Sequence, residues 1–167
     1  MRELQPGRAD AQRFERLVSE IVQYLFHENF SKWEKQNAID SGLRMDLCAK
    51  LFPKDRFWKD LGRDFNCRYV VFEFKNYSEQ VTQEQVYSTE KYLLRDALRT
   101  IAIIISTRGA DTGALIAAKG ALREAGKVIV HLDINDLCEM LRERDTGGSP
   151  EKVIETRLDD MLMSLAR

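Results

Sequence analysis

Three side chains in this sequence could gather around one metal ion. Glu73 and Lys75 flank Phe74 at the end of the apolar run Tyr69-Val70-Val71-Phe72. A β-strand there would set the acid and the amine on one face, one pleat apart, because side chains alternate with period two. Upstream, Arg44-Met45-Asp46 leads into a second strand, expected over 45–52, and adds another carboxylate. Two carboxylates and a lysine on neighbouring strands are the equipment of a metal-dependent phosphodiester hydrolase. Mg²⁺ takes oxygen ligands in octahedral geometry and keeps several waters, so two carboxylates and a backbone carbonyl satisfy it. The metal would polarise a phosphoryl oxygen and lower the pKa of its bound water. The lysine would orient or help deprotonate that water and offset charge on the phosphate. The competing reading is a solvated Glu–Lys pair on an exposed strand. Val70, Val71, Phe72 and Phe74 argue instead for a central strand, where a charged pair is costly without a partner or a metal.

The elements around these residues follow from periodicity and punctuation. Phe14, Leu17, Val18, Ile21, Val22 and Leu25 recur at helical spacing and predict an amphipathic helix over about 9–27. A strand is expected over 33–39. Asp40-Ser41-Gly42 is turn chemistry, so the strand carrying Asp46 should pair back as a hairpin. The third strand, 68–76, carries Glu73 and Lys75, and a helix over 82–98 follows it. Thr100 leads into Ile101 to Ile105, which is continuously apolar and rich in isoleucine, as expected of a strand covered on both faces. A helix capped by Asp111 or Thr112 should end at Gly126. A strand over 128–130 and a short helix over 133–142 come next. Ser149 as N-cap and Pro150 as first helical residue then suit a last amphipathic helix, after the hinge Thr146-Gly147-Gly148. The order predicts an α/β fold: a mixed central sheet flanked by helices. The division expected is residues 1–146 as the main domain and 147–167 as hinge and C-terminal helix.

Composition sets the frame. The chain has 167 residues, 44% apolar and 32% charged, which suits one domain with a sizeable core. No apolar run approaches the roughly 20 residues a membrane span needs. The polar first ten residues lack a signal-peptide pattern, and Cys48, Cys67 and Cys138 show no CxxC spacing. Reduced thiols and a cytoplasmic location are the expectation. A net charge of −1 gives no global push toward nucleic acid. Lys50, Lys54, Arg56 and Lys59 nevertheless crowd one segment, with Arg63 and Arg68 beyond. That segment is either a solvated loop or hairpin or a surface that tracks a polyanion backbone. Arg44 is either an ion-pair partner of Asp46 or a phosphate contact. His27 and His131 are isolated, without metal-ligand spacing, and read as structural. The small-residue stretch 106–113 is best taken as a plain strand-to-helix turn, though such a turn can hold a phosphate.

The helix, the hairpin strand with Asp46 and the strand with Glu73-Phe74-Lys75 resemble the PD-(D/E)XK nuclease superfamily, whose restriction-endonuclease-like fold has an αβββαβ core. More narrowly, the chain is similar to Mrr-type restriction endonucleases and Holliday junction resolvases. Phe14-Glu15 is similar to their Phe-Glu opening, and Gln85, ten residues beyond Lys75, to their glutamine on the following helix. The stretch 104–141 resembles their closing strand, alanine-rich helix, strand end and short helix. The match spans about residues 12–143 and leaves an extra C-terminal helix outside.

The resemblance implies a Mg²⁺-dependent endodeoxyribonuclease, with Mn²⁺ able to substitute. It implies Asp46, Glu73 and the Phe74 carbonyl as metal ligands, and Asp46, Glu73, Lys75, Gln85 and Glu15 as catalytic residues. Glu15 would be an outer-sphere or second-metal acid, or a plain solvent-facing glutamate. Gln85 would bind a phosphate, steady Lys75, or simply lie on a helix surface. DNA is the implied partner, cut by a homodimer or by an effector, with or without a partner subunit, of a prokaryotic defence system. A structure-selective resolvase, an RNase and a catalytically inactive nucleic-acid-binding or assembly module are the alternatives.

Overall fold

The structure is a computed structural model that describes residues 5–35 and 45–165. Arg44 and the turn expected at Asp40-Ser41-Gly42 lie outside the described residues.

The chain forms a five-stranded mixed sheet flanked by helices, with the strands in sequence order: β1 (Phe30–Glu34), β2 (Leu47–Leu51), β3 (Tyr69–Lys75), β4 (Ile101–Ser106) and β5 (Val128–Leu132). β1, β2 and β3 pair antiparallel, whereas β3, β4 and β5 run parallel. β3 is therefore the middle strand and the switch between the two pairing modes. β4 is buried along its whole length, as its unbroken apolar sequence requires of a strand covered on both faces.

The parallel half needs crossover helices, and it has them. α3 (Gln83–Glu90) links β3 to β4, and α4 (Thr112–Ala125) links β4 to β5. α4 starts where Asp111 accepts a hydrogen bond from the Ala114 amide. It stops at Gly126, whose φ of 64° is a left-handed turn that glycine adopts freely. α1 (Ala11–Phe26) buries Phe14, Val18, Val22, Leu25 and Phe26, the stripe expected from its spacing. Phe26 meets Trp58, and both meet Phe30, which in turn packs on Phe72 of β3. This aromatic cluster fills the space between α1 and one face of the sheet.

Three expectations are corrected. The basic segment after β2 is neither loop nor hairpin: Arg56–Asp64 is a helix, α2. Its period is hidden in the sequence because only Trp58 and Leu61, three apart, point inward among many charges. Asp55 caps it by accepting from the Phe57 amide. The helix expected over 82–98 ends at Glu90 and gives way to a tight turn at Arg95–Ala97. Leu98 takes a left-handed conformation there, and its carbonyl accepts from the Arg68 and Tyr69 amides at 2.7 and 3.0 Å. The start of β3 thus claims the chain that would have continued the helix. Ser149 does not cap the last helix. α5 (Ile134–Asp145) leads into α6 (Glu151–Met163), and the Ser149 hydroxyl donates to the Glu151 side chain instead.

α6 is part of the common core: Val153, Ile154, Leu158 and Met161 are buried in the same cluster as the sheet. Its anchor is Glu151, also buried. One carboxylate oxygen accepts from Asn29 Nδ2 and from Trp58 Nε1, each at 3.2 Å, and the other from Ser149. Asn29 in turn accepts from the Lys54 and Asp55 amides at 2.9 Å. Loop, α2 and α6 are thereby joined through one acid. Among the described residues, no helix is long and apolar enough to cross a membrane.

Replacing Glu151 by Ala leaves two buried donors without an acceptor. The expected cost is about 3 kcal/mol in denaturant unfolding. Glu151→Gln keeps an oxygen in place and should cost clearly less.

Candidate functional site

The alternation of β3 decides which side chains meet. Phe72 points into the aromatic cluster beside α1, so Glu73 and Lys75 point to the opposite face. There Lys75 Nζ donates to Glu73 Oε1 at 2.5 Å, with the Glu73 side chain only 4% exposed and that of Lys75 16%. The register of β2 brings the third member in. Leu47 pairs with Phe72 and Cys48 with Val71, so one further step sets Asp46 opposite Glu73. Asp46 lies just before β2, and its Oδ2 accepts from the Phe74 amide at 2.7 Å. The acid is therefore tied to the backbone of the strand that carries its two partners. Positions 46, 73 and 75 converge beside the core.

The electrostatics couple the three groups. Burial pushes the Glu73 carboxyl above the usual range; Lys75 pulls it back, and the nearby Asp46 charge pushes it up again. Burial disfavours the Lys75 ammonium, yet Glu73, Asp46 and Tyr77 together outweigh it and hold its pKa above the ordinary value. One ammonium thus faces two carboxylates. Glu73 Oε2 is buried and has no hydrogen-bond partner among the described residues, a condition that buried carboxylates normally avoid. A proton or a cation would meet that need.

The other sequence-derived residues are distributed as follows. Glu15 lies on α1, with Lys35 Nζ 4.0 Å from its Oε1. Gln85 serves the helix that carries it. Its side-chain oxygen accepts from the Thr82 amide and hydroxyl, each at 2.9 Å, and closes the capping box of α3. Lys50 sits on β2 opposite Lys32. Lys54 and Lys59 are exposed on and beside α2. Arg56 binds Asp60 at 3.4 Å, and Arg63 binds Asp60 and Asp64 at 2.9 and 2.8 Å. Because Trp58 of α2 packs with Phe26 and Phe30, these α2 cations belong to the face opposite Glu73 and Lys75.

Three residues of the neighbourhood carry no functional signal in the sequence. Asn76 donates through Nδ2 to the Gln5 and Gly7 carbonyls at 3.0 and 2.9 Å, and its own carbonyl accepts from the Gly7 amide. It clasps the N-terminal segment to the end of β3. Thr107 bonds the carbonyls of Lys75 and Tyr77, and Tyr77 is close enough to act on the Lys75 charge. Only the position of Asn76 directly after Lys75 could draw attention to it.

No family model fits the chain, and neither a curated protein nor a solved structure matches it. Among the described residues, no group of three or more His, Cys, Asp and Glu side chains is suited to hold a metal. A cation at this site would draw on two carboxylates, a main-chain carbonyl and water.

Lys75→Met should lower stability at pH 7 by roughly 3 kcal/mol, because it strips a buried acid of its counter-charge. The folded-state pKa of Glu73 lies above its unfolded value. The protonated acid therefore favours folding at low pH, and that contribution is lost as pH rises through the folded pKa. The penalty of Lys75→Met should accordingly shrink as pH falls, read by denaturant unfolding in EDTA. His131 on β5 behaves oppositely. Burial lowers its pKa from 6.5 to about 4, with Asp111 opposing. Its contribution is complete above pH 6.5 and lost as pH falls toward 4, on the order of 3 kcal/mol. His131→Leu should abolish that loss, which separates the two trends.

Proposed function

We propose that this protein is a divalent-metal-dependent nuclease of the restriction-endonuclease-like type that hydrolyses phosphodiester bonds of DNA. The observation that carries the reading is the buried Glu73–Lys75 pair with Asp46 fastened to the same strand and one Glu73 oxygen unpartnered. The order α1, β1, β2, β3, α3, β4 supports an αβββαβ core, with α2 inserted before β3 and β5, α5 and α6 added after β4.

The donor set fits Mg²⁺, with Mn²⁺ substituting. Asp46 and Glu73 would hold the ion, and the Phe74 carbonyl would complete the protein ligands. Hard oxygen donors, with no thiolate or imidazole in the set, suit such ions. When bound, the ion supplies a polarised phosphoryl oxygen and a water of lowered pKa. The chain does the rest. Asp46, held by the Phe74 amide, fixes its carboxylate relative to Glu73. Glu73 orients the Lys75 ammonium through their short hydrogen bond. The Lys75 ammonium, mostly shielded from water, offsets negative charge on a phosphate and orients the attacking water. Glu15 would contribute as a more distant acid, and Gln85 acts through α3, whose first turn it closes.

DNA rather than RNA, and a role in prokaryotic defence with or without a partner subunit, follow from the resemblance. A homodimer would let two such sites cut two strands. The stripe of α6 offers it little support, since that stripe is buried in its own core and mainly Leu162 and Met163 remain exposed. Of the expected nucleic-acid contacts, Arg44 and Lys50 remain proposed, whereas Lys54, Arg56 and Lys59 sit on or beside α2, away from Glu73 and Lys75. A second reading, a nuclease-like binding module without catalysis, draws on the lack of a third acid in the described cluster.

Asp46→Ala and Lys75→Ala should each reduce Mg²⁺-dependent plasmid cleavage by roughly a hundredfold or more while leaving the circular dichroism spectrum intact. Retained cleavage in either variant refutes the site. A substrate panel of duplex, single-stranded and branched DNA and RNA, with Mg²⁺ and with EDTA, separates nuclease, resolvase and RNase. Calorimetry that detects no Mg²⁺ or Mn²⁺ binding favours the inactive module, and a monomer at micromolar concentration in sedimentation removes the dimer.

A further inference from the structure

His131 presents an anomaly that the proposed hydrolysis does not use. It follows Val130 on β5, the edge strand, and both ring nitrogens are fully buried without a hydrogen-bond partner among the described residues. A neutral imidazole always carries one N–H donor and one acceptor, and folds rarely leave both unmade. His131 lines two adjoining cavities, of about 230 and 200 Å³, which also share Leu115 and Arg157.

The two cavities differ in chemistry. The first opens at the C-terminal edge of the parallel strands and is bordered by Gln80, Arg108, Gly109 and Ala110. Ligands of open α/β sheets collect at that edge. Its acids are already committed: Asp133 accepts from the Asn135 and Asp136 amides, and Asp136 binds Arg157 at 2.8 Å. The exposed Arg108 has no hydrogen-bond or ion-pair partner among the described residues. The second cavity lies between α4 and α6 and is lined by Ala118, Ile129, Val130 and Met161, with Lys119 and Asp160 beside them. A cationic end, a neutral donor–acceptor in the middle and an apolar slot thus run in sequence. Their combined size falls within the several hundred Å³ usual for small-ligand sites.

We propose that this joined cleft binds a mononucleotide, its phosphate at Arg108 and its base in the slot beside Ile129 and Met161, and that binding uncovers a ring nitrogen of His131, which hydrogen-bonds between them. A nucleotide has the required order: an anion, a hydroxyl-bearing sugar and a flat ring with an apolar face. Neither inorganic phosphate nor a nucleoside fills both halves. The site does not depend on the Asp46, Glu73 and Lys75 cluster, and it stands whether or not that cluster cleaves DNA.

The test uses the full chain in EDTA and a nucleoside 5′-monophosphate as probe. The chain has two histidines, so ¹⁵N ring signals of His131 are assigned by comparison with His27→Gln. The monophosphate should shift those signals saturably. In calorimetry it should bind at least roughly tenfold more tightly than inorganic phosphate or the nucleoside alone. Arg108→Gln and His131→Leu should each weaken it by roughly tenfold or more, and Lys75→Ala should leave it unchanged. Unshifted ring signals, equal binding by inorganic phosphate, or undiminished binding in Arg108→Gln overturns the proposal. The ring shifts and the exposed-site variant Arg108→Gln decide the matter even where His131→Leu fails to fold.

Discussion

A lysine and a glutamate bonded to each other on the middle strand of a sheet impose a constraint that much of this structure answers. Burying either charge alone would be prohibitive, and burying the pair is tolerable only with good geometry. The geometry is supplied by the simplest property of a strand: residues two apart share a face. Asp46 adds a second carboxylate opposite Glu73. Burial, with the Asp46 charge adding to it against the pull of Lys75, raises the Glu73 pKa, while Glu73, Asp46 and Tyr77 raise that of Lys75. A phosphate brought beside two carboxylates meets like charge, which a bound cation would offset. Metal dependence of the proposed hydrolysis would thus follow from the two acids.

Keeping the three groups together falls to interactions well away from them. Asp46 precedes β2, so its place depends on the β2–β3 register, and a slip of one residue would turn it to the aromatic face. Register is held from that other face, where Phe30, Trp33 and Phe72 interlock and Phe26 and Trp58 close the cluster. Trp58 is fixed by Glu151, which brings α6 into the same assembly. At the far end of β3, Asn76 and Thr107 pin the N-terminal segment and the loop after β4. The site is positioned by an apolar face that it never touches.

Much of this is legible in residue order, and the exceptions have physical reasons. β3 and β4 are legible because Tyr69 to Phe72 and Ile101 to Ile105 are apolar beyond what a helix surface allows. α4 is legible because Asp111 and Gly126 mark its ends. The convergence at 46, 73 and 75 is legible because period-two alternation and a hairpin leave few other arrangements. α2 is not, since two inward residues among nine carry little periodic signal and the capping Asp55 looks like one more charge in a charged run. The end of α3 is not, because the carbonyl of Leu98 serves β3 through a contact that only the tertiary fold creates. Gln85 illustrates a different limit. A helix-start glutamine three residues after a threonine is a capping signature, and that local chemistry competes with the functional reading that the resemblance suggests.

The same competition bears on how a polyanion could approach. The basic segment is the most conspicuous charge feature of the sequence, yet folding pairs Arg56 and Arg63 with Asp60 and Asp64 and sets α2 on the face opposite Glu73 and Lys75. Exposed ion pairs of this kind are weak and screened, so they leave the helix nearly neutral rather than strongly attractive. The face that carries Glu73 and Lys75 has no comparable run of cations in sequence. Attraction of a phosphate there would rest on Lys75 and on whatever ion the two acids hold, a short-range and geometrically specific pull rather than a broad electrostatic one. A net charge of −1 gives no global pull on a polyanion, and selectivity would be decided at the site itself.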